Sequence, residues 1–310
     1  MNMRLKKKGF LHKVKKNRTL LLMLLPAVLF FFLFNYLPIS GIIVAFKSYN
    51  YKEGIFGSPW LGIENFKFFF ISGQAFIVTR NTVLYNLAFI IVNTVLQISA
   101  AILLSEIKNK YFKKLTQSLM FLPYFISWVI VGVITYNIFN YEHGSFNSIL
   151  KMFHIGAIDV YSKPVAWIFI IIIFCAWQGL GYGTVLYLAS IMGIDTEIYE
   201  ASEIDGANIF ERIRYITLPS LVPTITILTL LAIGNIFRGN FDMFYNIIGN
   251  NGTLFNATDV IDTFTVRALM QSNEVGMAAA AGLYQSVFCF ITIITVNSIV
   301  KKHNEENSLF

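Results

Sequence analysis

The sequence contains little charge. Asp, Glu, Lys and Arg together make up 13% of its 310 residues, whereas 56% are hydrophobic and 30 are Phe. A water-soluble chain of this length needs more charged surface, so this composition excludes an ordinary soluble fold. The mean hydropathy of +0.63 predicts a protein that lies mostly within a membrane.

Sequence motifs for chemistry are also missing. There is no Gly-x-x-x-x-Gly-Lys-Ser/Thr loop and not even a Gly-Lys pair, so any nucleotide must be bound by another polypeptide. No H-E-x-x-H zinc pattern occurs. The histidines are scattered outside the apolar stretches, at His12, His143, His154 and His303. The two cysteines, Cys175 and Cys289, lie in separate apolar stretches, which favours buried thiols over a disulfide. We expect no enzyme activity, no cofactor and no metal ion in this chain.

Long apolar stretches dominate what is present. A helix needs about 20 apolar residues to cross a membrane. The stretches that qualify are Leu20–Phe46, Thr82–Leu104, Thr116–Asn140, Pro164–Ser190, Pro219–Phe237 and Gly276–Val300. The first is too long for a signal peptide. The prediction is an all-α polytopic membrane protein: a basic arm (1–19), a domain of six transmembrane helices (20–300) and a tail (301–310).

The distribution of positive charge predicts the orientation. Sixteen of the 24 Lys and Arg residues fall in the N-terminal arm, the tail and the loops at 105–115 and 191–218, against eight on the other side. The positive-inside rule therefore places both termini in the cytoplasm. Because the net charge of +7 is concentrated beside membrane helices, it predicts contact with anionic headgroups, and we expect no nucleic-acid partner.

Proline interrupts several of these stretches. Pro26, Pro38 and Pro123 each remove a backbone donor inside a predicted span. Membrane proteins tolerate such breaks where neighbouring groups satisfy the freed backbone. The prolines therefore predict packed, movable helices rather than a simple membrane anchor.

A polar stretch, YEASEIDGANIFERIRYITLP, separates the fourth span from the fifth. Its start predicts a short amphipathic helix with an acidic stripe, which Asp195 or Thr196 can cap. The apolar stripe comprises Ile194, Ile198, Ala201 and Ile204, and the acidic stripe Glu197, Glu200 and Glu203. Gly206 is expected to end this helix, and a second short helix to precede Pro219, which opens the fifth span. An anionic membrane surface repels an acidic helix, so this cytoplasmic helix is expected to dock on another protein.

At these residues the sequence resembles the EAA loop of ABC importer permeases of the carbohydrate-uptake type. The matching residues are Glu200, Ala201, Ser202, Asp205, Gly206, Ala207, Leu218 and Pro219. Ser202 stands where Ala is common in that motif. Leu122-Pro123-Tyr124 in the third span also resembles the family, and the outer segment from Tyr36 to Phe70 resembles permeases for polysaccharides and oligosaccharides in Gram-positive bacteria.

The resemblance implies a function and a set of partners. In that family the loop is a coupling helix held by an ATPase dimer, dedicated or shared, which binds ATP and Mg²⁺. A second, homologous permease subunit and an extracellular, lipid-anchored solute-binding protein are expected, with an oligosaccharide as substrate. The cell membrane of a Gram-positive bacterium is the expected location. Neither the sugar nor its linkage follows from the sequence.

Two stretches combine the aromatic rings and amides that bind sugars. They are residues 177–183 in the fourth span and 235–242 at the outer end of the fifth. Similarity to the maltose-type permease supports residues from both. The predicted substrate-binding residues are Trp177, Gln178, Gly179, Tyr182, Phe237 and Asn240.

Structural roles remain open for these stretches. Trp177 and Tyr182 also fit an interfacial aromatic belt, and the glycines fit tight helix packing. Arg238 and Asp242, four residues apart, fit a structural ion pair. The second permease subunit alone could hold the sugar.

Two other functions fit the sequence less well. An ion-coupled secondary transporter needs carboxylates within the membrane and internal repeat symmetry, and the predicted spans contain almost no acidic residue. A membrane glycosyltransferase subunit needs an acidic cluster at the membrane face, whereas the acids here form a helix stripe. The permease function is therefore favoured.

Overall fold

Helices form most of the part of this chain that the structure describes. The computed structural model describes residues 16–303; residues 1–15 of the predicted basic arm and 304–310 of the tail lie outside it. Within the described part, five helices are long and apolar enough to span a membrane, or six if one bent pair forms a single span. The α-helices are α1 (Arg18–Phe31), α2 (Gly54–Gly57), α3 (Glu64–Ile71), α4 (Gln74–Ser105), α5 (Lys110–Phe121), α6 (Trp128–Phe139), α7 (Ser145–Met152), α8 (Pro164–Met192), α9 (Thr196–Ile204), α10 (Ile209–Arg212), α11 (Leu218–Gly234), α12 (Phe241–Ile248), α13 (Phe255–Thr258), α14 (Ile261–Met270) and α15 (Val275–His303).

The third apolar stretch is a bent pair of helices rather than one continuous span. The segments Lys110–Phe125 and Trp128–Phe139 meet at 93°. Pro123 lies in a 3₁₀ turn after α5, and Ile126 and Ser127 have extended backbone conformations. Proline predicts an interruption, but its missing donor alone does not require a right-angle turn. The residues at the bend pack against α8.

The boundaries of the first, second and fifth spans also differ from the apolar stretches. The first helix continues from Arg18 to Phe46 through a π turn and a 3₁₀ segment that begins beside Pro38. α4 begins at Gln74 instead of Thr82. The fifth span is a helix from Ile209 to Gly234. Hydropathy marks the part of a helix that is apolar, and hydrogen-bonded turns continue beyond it.

The core is divided between the two ends of the helix bundle, with α4 and α8 packed along each other through its length. At the end that carries α9, here called the α9 end, the buried apolar residues are Ala101, Leu104, Tyr187, Leu188, Ile191 and Leu221. At the opposite or far end, one cluster surrounds Trp167, Met243 and Phe244, and another surrounds Phe69 and Phe264.

A glycine allows α8 to approach the bent third span. A Cβ atom on Gly181 would lie 2.2 Å from the Met120 carbonyl oxygen at the end of α5, a distance that no real Cβ contact reaches. Small residues let helix backbones approach closely within membranes. This contact therefore fixes α8 against the chain that leads into the bend.

The far end is closed by short helices between α11 and α15. The buried Asn81 side chain on α4 donates hydrogen bonds to the carbonyl oxygens of Asn256 and Asp259, at 3.1 and 3.0 Å. Its amide thus satisfies two backbone acceptors, one in α13 and one in the residue that follows it. This contact joins α13 and α14 to the transmembrane helices.

Candidate functional site

The predicted short helix after the fourth span is α9. Asp195 caps its start, because the Asp195 side chain accepts a hydrogen bond from the Glu197 amide at 3.0 Å. Of the two proposed caps, the structure therefore uses Asp195. Glu200 and Ala201 are exposed on α9, while Ser202 is half-buried and donates to the Tyr199 carbonyl at 2.7 Å.

Gly206 ends α9, as expected, in a left-handed conformation with a φ of 80°. The amide of Ala207 bonds the carbonyl of Ser202 at 2.9 Å, and the amide of Gly206 bonds that of Glu203 at 3.1 Å. This pattern is a Schellman motif, which favours glycine at the left-handed position. A Cβ at Gly206 would meet nothing within 4 Å, so the backbone conformation rather than space requires glycine here. Asp205, directly before it, is exposed.

The segment after Gly206 does not form a separate second helix. A capping box between Asn208 and Glu211 starts α10, with both amide-to-side-chain bonds present. α10 then continues through a π turn, Ile213–Thr217, into α11 without a break. Pro219 lies in the first turn of α11 and lacks the amide donor of a regular helix, and the wider turn just before it accommodates the proline. Pro219 thus opens the α-helical part of the fifth span, as predicted, but no break separates this helix from α10.

Two side-chain contacts join α9 to this continuous helix. The hydroxyl groups of Tyr199 and Thr217 are 2.8 Å apart, and Thr217 is buried. Arg212 forms an ion pair with Glu203 across the Gly206 turn. We call residues 195–217 the coupling element. α8 enters this element directly and α11 leaves it, so the element connects two transmembrane helices.

Apolar side chains cover the outside of the coupling element. Ile204 is 87% exposed and Phe210 is 79% exposed. Leu218 and Pro219, directly after it, are also exposed, and Ala207 within it is half-buried. Exposed apolar groups beside acidic ones are typical of a protein-binding surface.

A cavity of about 350 Å³ lies midway along the bundle, between α4, α8 and α11. We call it the polar cavity. Its polar lining comprises Asn86, Asn93, Thr94, Gln97, Tyr182, Tyr187, Thr229, Asn235 and Arg238. Asparagine and glutamine recur on one face of α4, and apolar residues such as Phe89 and Leu228 complete the wall. Amides and hydroxyls beside aromatic rings can bind the hydroxyl groups and faces of a sugar.

Tyr182 is the predicted sugar-binding residue that lines the polar cavity. Its ring stacks on Tyr124, with centroids 5.0 Å apart and an interplanar angle of 12°. Tyr124 lies in the 3₁₀ turn at the bend of the third span, and both rings are nearly half exposed. Sequence reasoning did not predict Tyr124 as the stacking partner of Tyr182, although its neighbour Pro123 marked the interruption at which it lies.

The neighbouring predicted residues of α8 have different surroundings. The Gln178 amide donates to the Ile126 carbonyl at 2.8 Å, which holds the bend of the third span. The Gly179 carbonyl accepts from Gln97 at 3.0 Å, within the α4–α8 contact. Trp177 is 39% exposed. These three residues do not line the polar cavity, and a role in sugar binding stays a prediction.

The two predicted residues after α11 lie elsewhere. The Phe237 ring packs on Phe288 at 5.2 Å and lines a separate apolar groove between α4 and α15. Asn240 caps α12, since its side chain accepts from the Met243 amide at 3.1 Å. The structure therefore does not bring either residue together with Tyr182. Their contact with substrate also stays a prediction.

Arg238 and Asp242 do not form the ion pair that their spacing allowed. Arg238 precedes α12 and Asp242 lies within its first turn, so the two residues do not share a helix face. The carboxylate nearer to this turn is Asp262, which accepts from the Gly239 amide at 2.5 Å and from Gln285 at 2.7 Å. Burial raises the pKa of Asp262, and these hydrogen bonds oppose that rise.

This arrangement of spanning helices, a protruding coupling element and a polar cavity defines a membrane transport subunit. The sequence pattern of the family described as binding-protein-dependent transport system inner membrane component matches residues 97–304. The chain belongs to this family, the permeases of ABC importers, and the predicted resemblance is confirmed.

Several known proteins are similar over nearly the whole chain. Protein LplB of Bacillus subtilis is 32% identical over 293 residues, covering 94% of this chain and 92% of LplB. The polygalacturonan/rhamnogalacturonan transport system permease protein YteP of Bacillus subtilis is 30% identical and covers 97% and 93%. A crystal structure of a bacterial ABC transporter that imports the acidic polysaccharide alginate matches with a TM-score of 0.87 and 28% identity, covering 96% of this chain and all of that one.

Proposed function

We propose that this chain is a permease subunit of an ATP-driven importer that takes up an oligosaccharide across a bacterial cell membrane. A separate ATPase dimer binds ATP and Mg²⁺, and a second permease subunit completes the membrane pathway. Both termini and the coupling element lie in the cytoplasm. The far end then faces outside, where a binding protein delivers the sugar.

The substrate class is supported by the similar proteins. YteP is named for polygalacturonan and rhamnogalacturonan, and a 24% identical permease of Halalkalibacterium halodurans, AraP, for arabinooligosaccharides. A second alginate transporter structure, similar with a TM-score of 0.86, contains a periplasmic protein with a bound alginate pentasaccharide. The Bacillus relatives support an origin in a Gram-positive bacterium.

The coupling element is the observation that carries the proposal. It is exposed on its outer side, yet the contacts Tyr199–Thr217 and Glu203–Arg212 hold it to the start of the α10–α11 helix. α8 and α11 are also two of the three walls of the polar cavity. Closure of an ATPase dimer would move α9, and that movement would reach the cavity walls. Through this connection the cavity would open alternately to the outside and to the inside, and ATP hydrolysis would reset the cavity.

Purification of the complex from its native membrane in mild detergent tests the proposal. The expected result is recovery of a second permease and two copies of an ATPase with the wild-type chain. Glu200→Lys and Gly206→Val, both in the coupling element, should lose the ATPase. Glu142→Lys is the matched control, because Glu142 is an acidic side chain that is 77% exposed at the far end.

Two results would contradict the proposal. One is recovery of the chain alone from membranes in which the ATPase is present. The other is equal loss of the ATPase from the Glu142→Lys control, which would show that charge reversal anywhere disrupts the assembly. A detergent-stable elution profile for each variant separates loss of a partner from loss of the fold.

A further inference from the structure

Arg238 is a cation without a partner at the polar cavity. It lies in the turn between α11 and α12 and lines the cavity together with Asn235 and Asn86. The Asn86 side chain donates to the carbonyl oxygens of Ile236 and Arg238, both at 2.9 Å, which fixes the backbone of this turn. Among the described residues, no hydrogen bond or ion pair involves the Arg238 guanidinium.

No carboxylate in the described structure compensates this charge at close range. The lining of the polar cavity contains neither Asp nor Glu. Asp262 is near enough to interact electrostatically with Arg238, but its hydrogen bonds go to Gly239 and Gln285. Asp242 is exposed and is not part of the lining. The cavity therefore has a net positive charge in a wall that is otherwise composed of amides, hydroxyls and apolar groups.

Arg267, at the far end of the same chain, shows the opposite arrangement. Its guanidinium pairs with both oxygens of Asp259, a side chain that is only 2% exposed, and stacks over the Phe255 ring at 4.1 Å. Thr263 adds a hydrogen bond to Asp259 at 2.7 Å. Arg267 thus has the compensation that a partly buried cation requires. Arg238 lacks it: its side chain is exposed in this chain and lies beside the amides and hydroxyls of the polar cavity.

We propose that the polar cavity binds an acidic oligosaccharide and that Arg238 pairs with the carboxylate of a uronic acid residue. This inference rests on the proposed importer function and specifies its substrate class. A planar guanidinium fits a carboxylate with two parallel hydrogen bonds, whereas a neutral sugar leaves the charge uncompensated. Tyr182, whose ring stacks on Tyr124, supplies a ring surface at the same cavity, and the amides of α4 supply partners for hydroxyl groups.

The experiment uses the complete complex of this chain, its partner permease and the ATPase, in detergent. Direct binding is measured by calorimetry without the binding protein, with trigalacturonate as the acidic probe and maltotriose as the neutral one. Wild-type complex should bind trigalacturonate at least about tenfold more tightly, as expected for a charge-assisted contact. Arg238→Gln should lose about tenfold for trigalacturonate, and Arg238→Lys should lose less because it keeps the charge.

Arg80→Gln is the matched control. Arg80 is another far-side arginine, but its guanidinium donates to Asn81 and to the Asn256 carbonyl and does not line the polar cavity. The complex with Arg80→Gln should bind trigalacturonate and maltotriose as the wild-type complex does. Equal affinity of the wild type for the two probes would overturn the inference, as would equal loss of trigalacturonate binding in both arginine variants. If Arg238→Gln does not assemble, the wild-type preference and Arg238→Lys still decide.

The proposed function has its own readout. In proteoliposomes, a saccharide-loaded binding protein should stimulate ATP hydrolysis by the complete importer. Stimulation by neutral but not acidic saccharides would refute only the acidic-substrate inference. A lack of stimulation by either class, from a complex that hydrolyses ATP, would refute the oligosaccharide importer itself.

Discussion

The coupling element and the α8 wall behind the polar cavity both depend on glycine, but for different reasons. Gly206 has open space around it and is required because the backbone has a positive φ. Gly181 has an ordinary helical conformation and is required because the Met120 carbonyl oxygen occupies the place of a side chain. Local backbone conformation thus selects glycine in the coupling element, whereas contact between helices selects glycine in α8.

This difference predicts how each region responds to change. Where the local backbone conformation requires a glycine, another residue that tolerates the same φ and ψ can replace it. A contact between two backbones cannot be restored by any side chain, since every residue other than glycine carries a Cβ. Substitutions should therefore have larger and less selective effects at α8 than at the coupling element.

The largest expected effect is at Gly181. Gly181→Ala should lower the free energy of unfolding by about 1–3 kcal/mol or prevent assembly, because α8 must move away from Met120. Thermal unfolding in detergent measures this loss. Gly282→Ala is the control in another spanning helix, since a Cβ there meets nothing within 4 Å. An equally stable Gly181→Ala protein would show that the α8 contact is not rigid.

A moderate effect is expected at Gly206. Gly206→Ala should cost about 1–2 kcal/mol locally, because a residue with a Cβ is strained at positive φ, and Gly206→Asn should cost less. Hydrogen exchange of the α9 amides measures the local opening. The control, Gly193→Ala, changes a nearby glycine with a φ of −86° and should leave the exchange unchanged. Equal effects of Ala and Asn at position 206 would mean that conformation is not what selects glycine.

The smallest expected effect concerns the hydroxyl pair that joins α9 to the root of α11. Tyr199→Phe and Thr217→Val each remove one hydroxyl of the 2.8 Å pair. A double-mutant cycle should give a coupling energy of about 0.5–1.5 kcal/mol. Hydrogen exchange in α9 supplies the free energies. Additive effects of the two substitutions would show that the pair transmits no force.

Much of the coupling element could be predicted because its signals are local. Asp195 at the helix start and Gly206 at its end act on amides within a few residues, so spacing along the chain is enough to find them. The continuity from Ile209 into α11 was missed. Pro219 is a strong helix-start signal, and the π turn that accommodates it has no sequence signature of its own.

The polar cavity could be predicted only in part. Tyr182 was found from the composition of the stretch 177–183 and from the family resemblance. Its stacking partner Tyr124 comes from the 93° bend of a different span. The same sequence reasoning grouped Phe237 with Tyr182, whereas the Phe237 ring packs on α15. Sequence spacing predicts which residues share one helix, and it contains no information about which helices enclose a common space.

The sequence by itself determined the number of apolar stretches, the membrane class and the ends of α9, because hydropathy and capping depend on neighbours along the chain. Only the tertiary structure decided that Arg267 has a carboxylate partner and that Arg238 has none. Each arginine has an aspartate nearby along the chain, Asp242 for Arg238 and Asp262 for Arg267, and neither of these is its ion-pair partner. Whether a charge is compensated depends on residues from other helices that folding brings within hydrogen-bond distance.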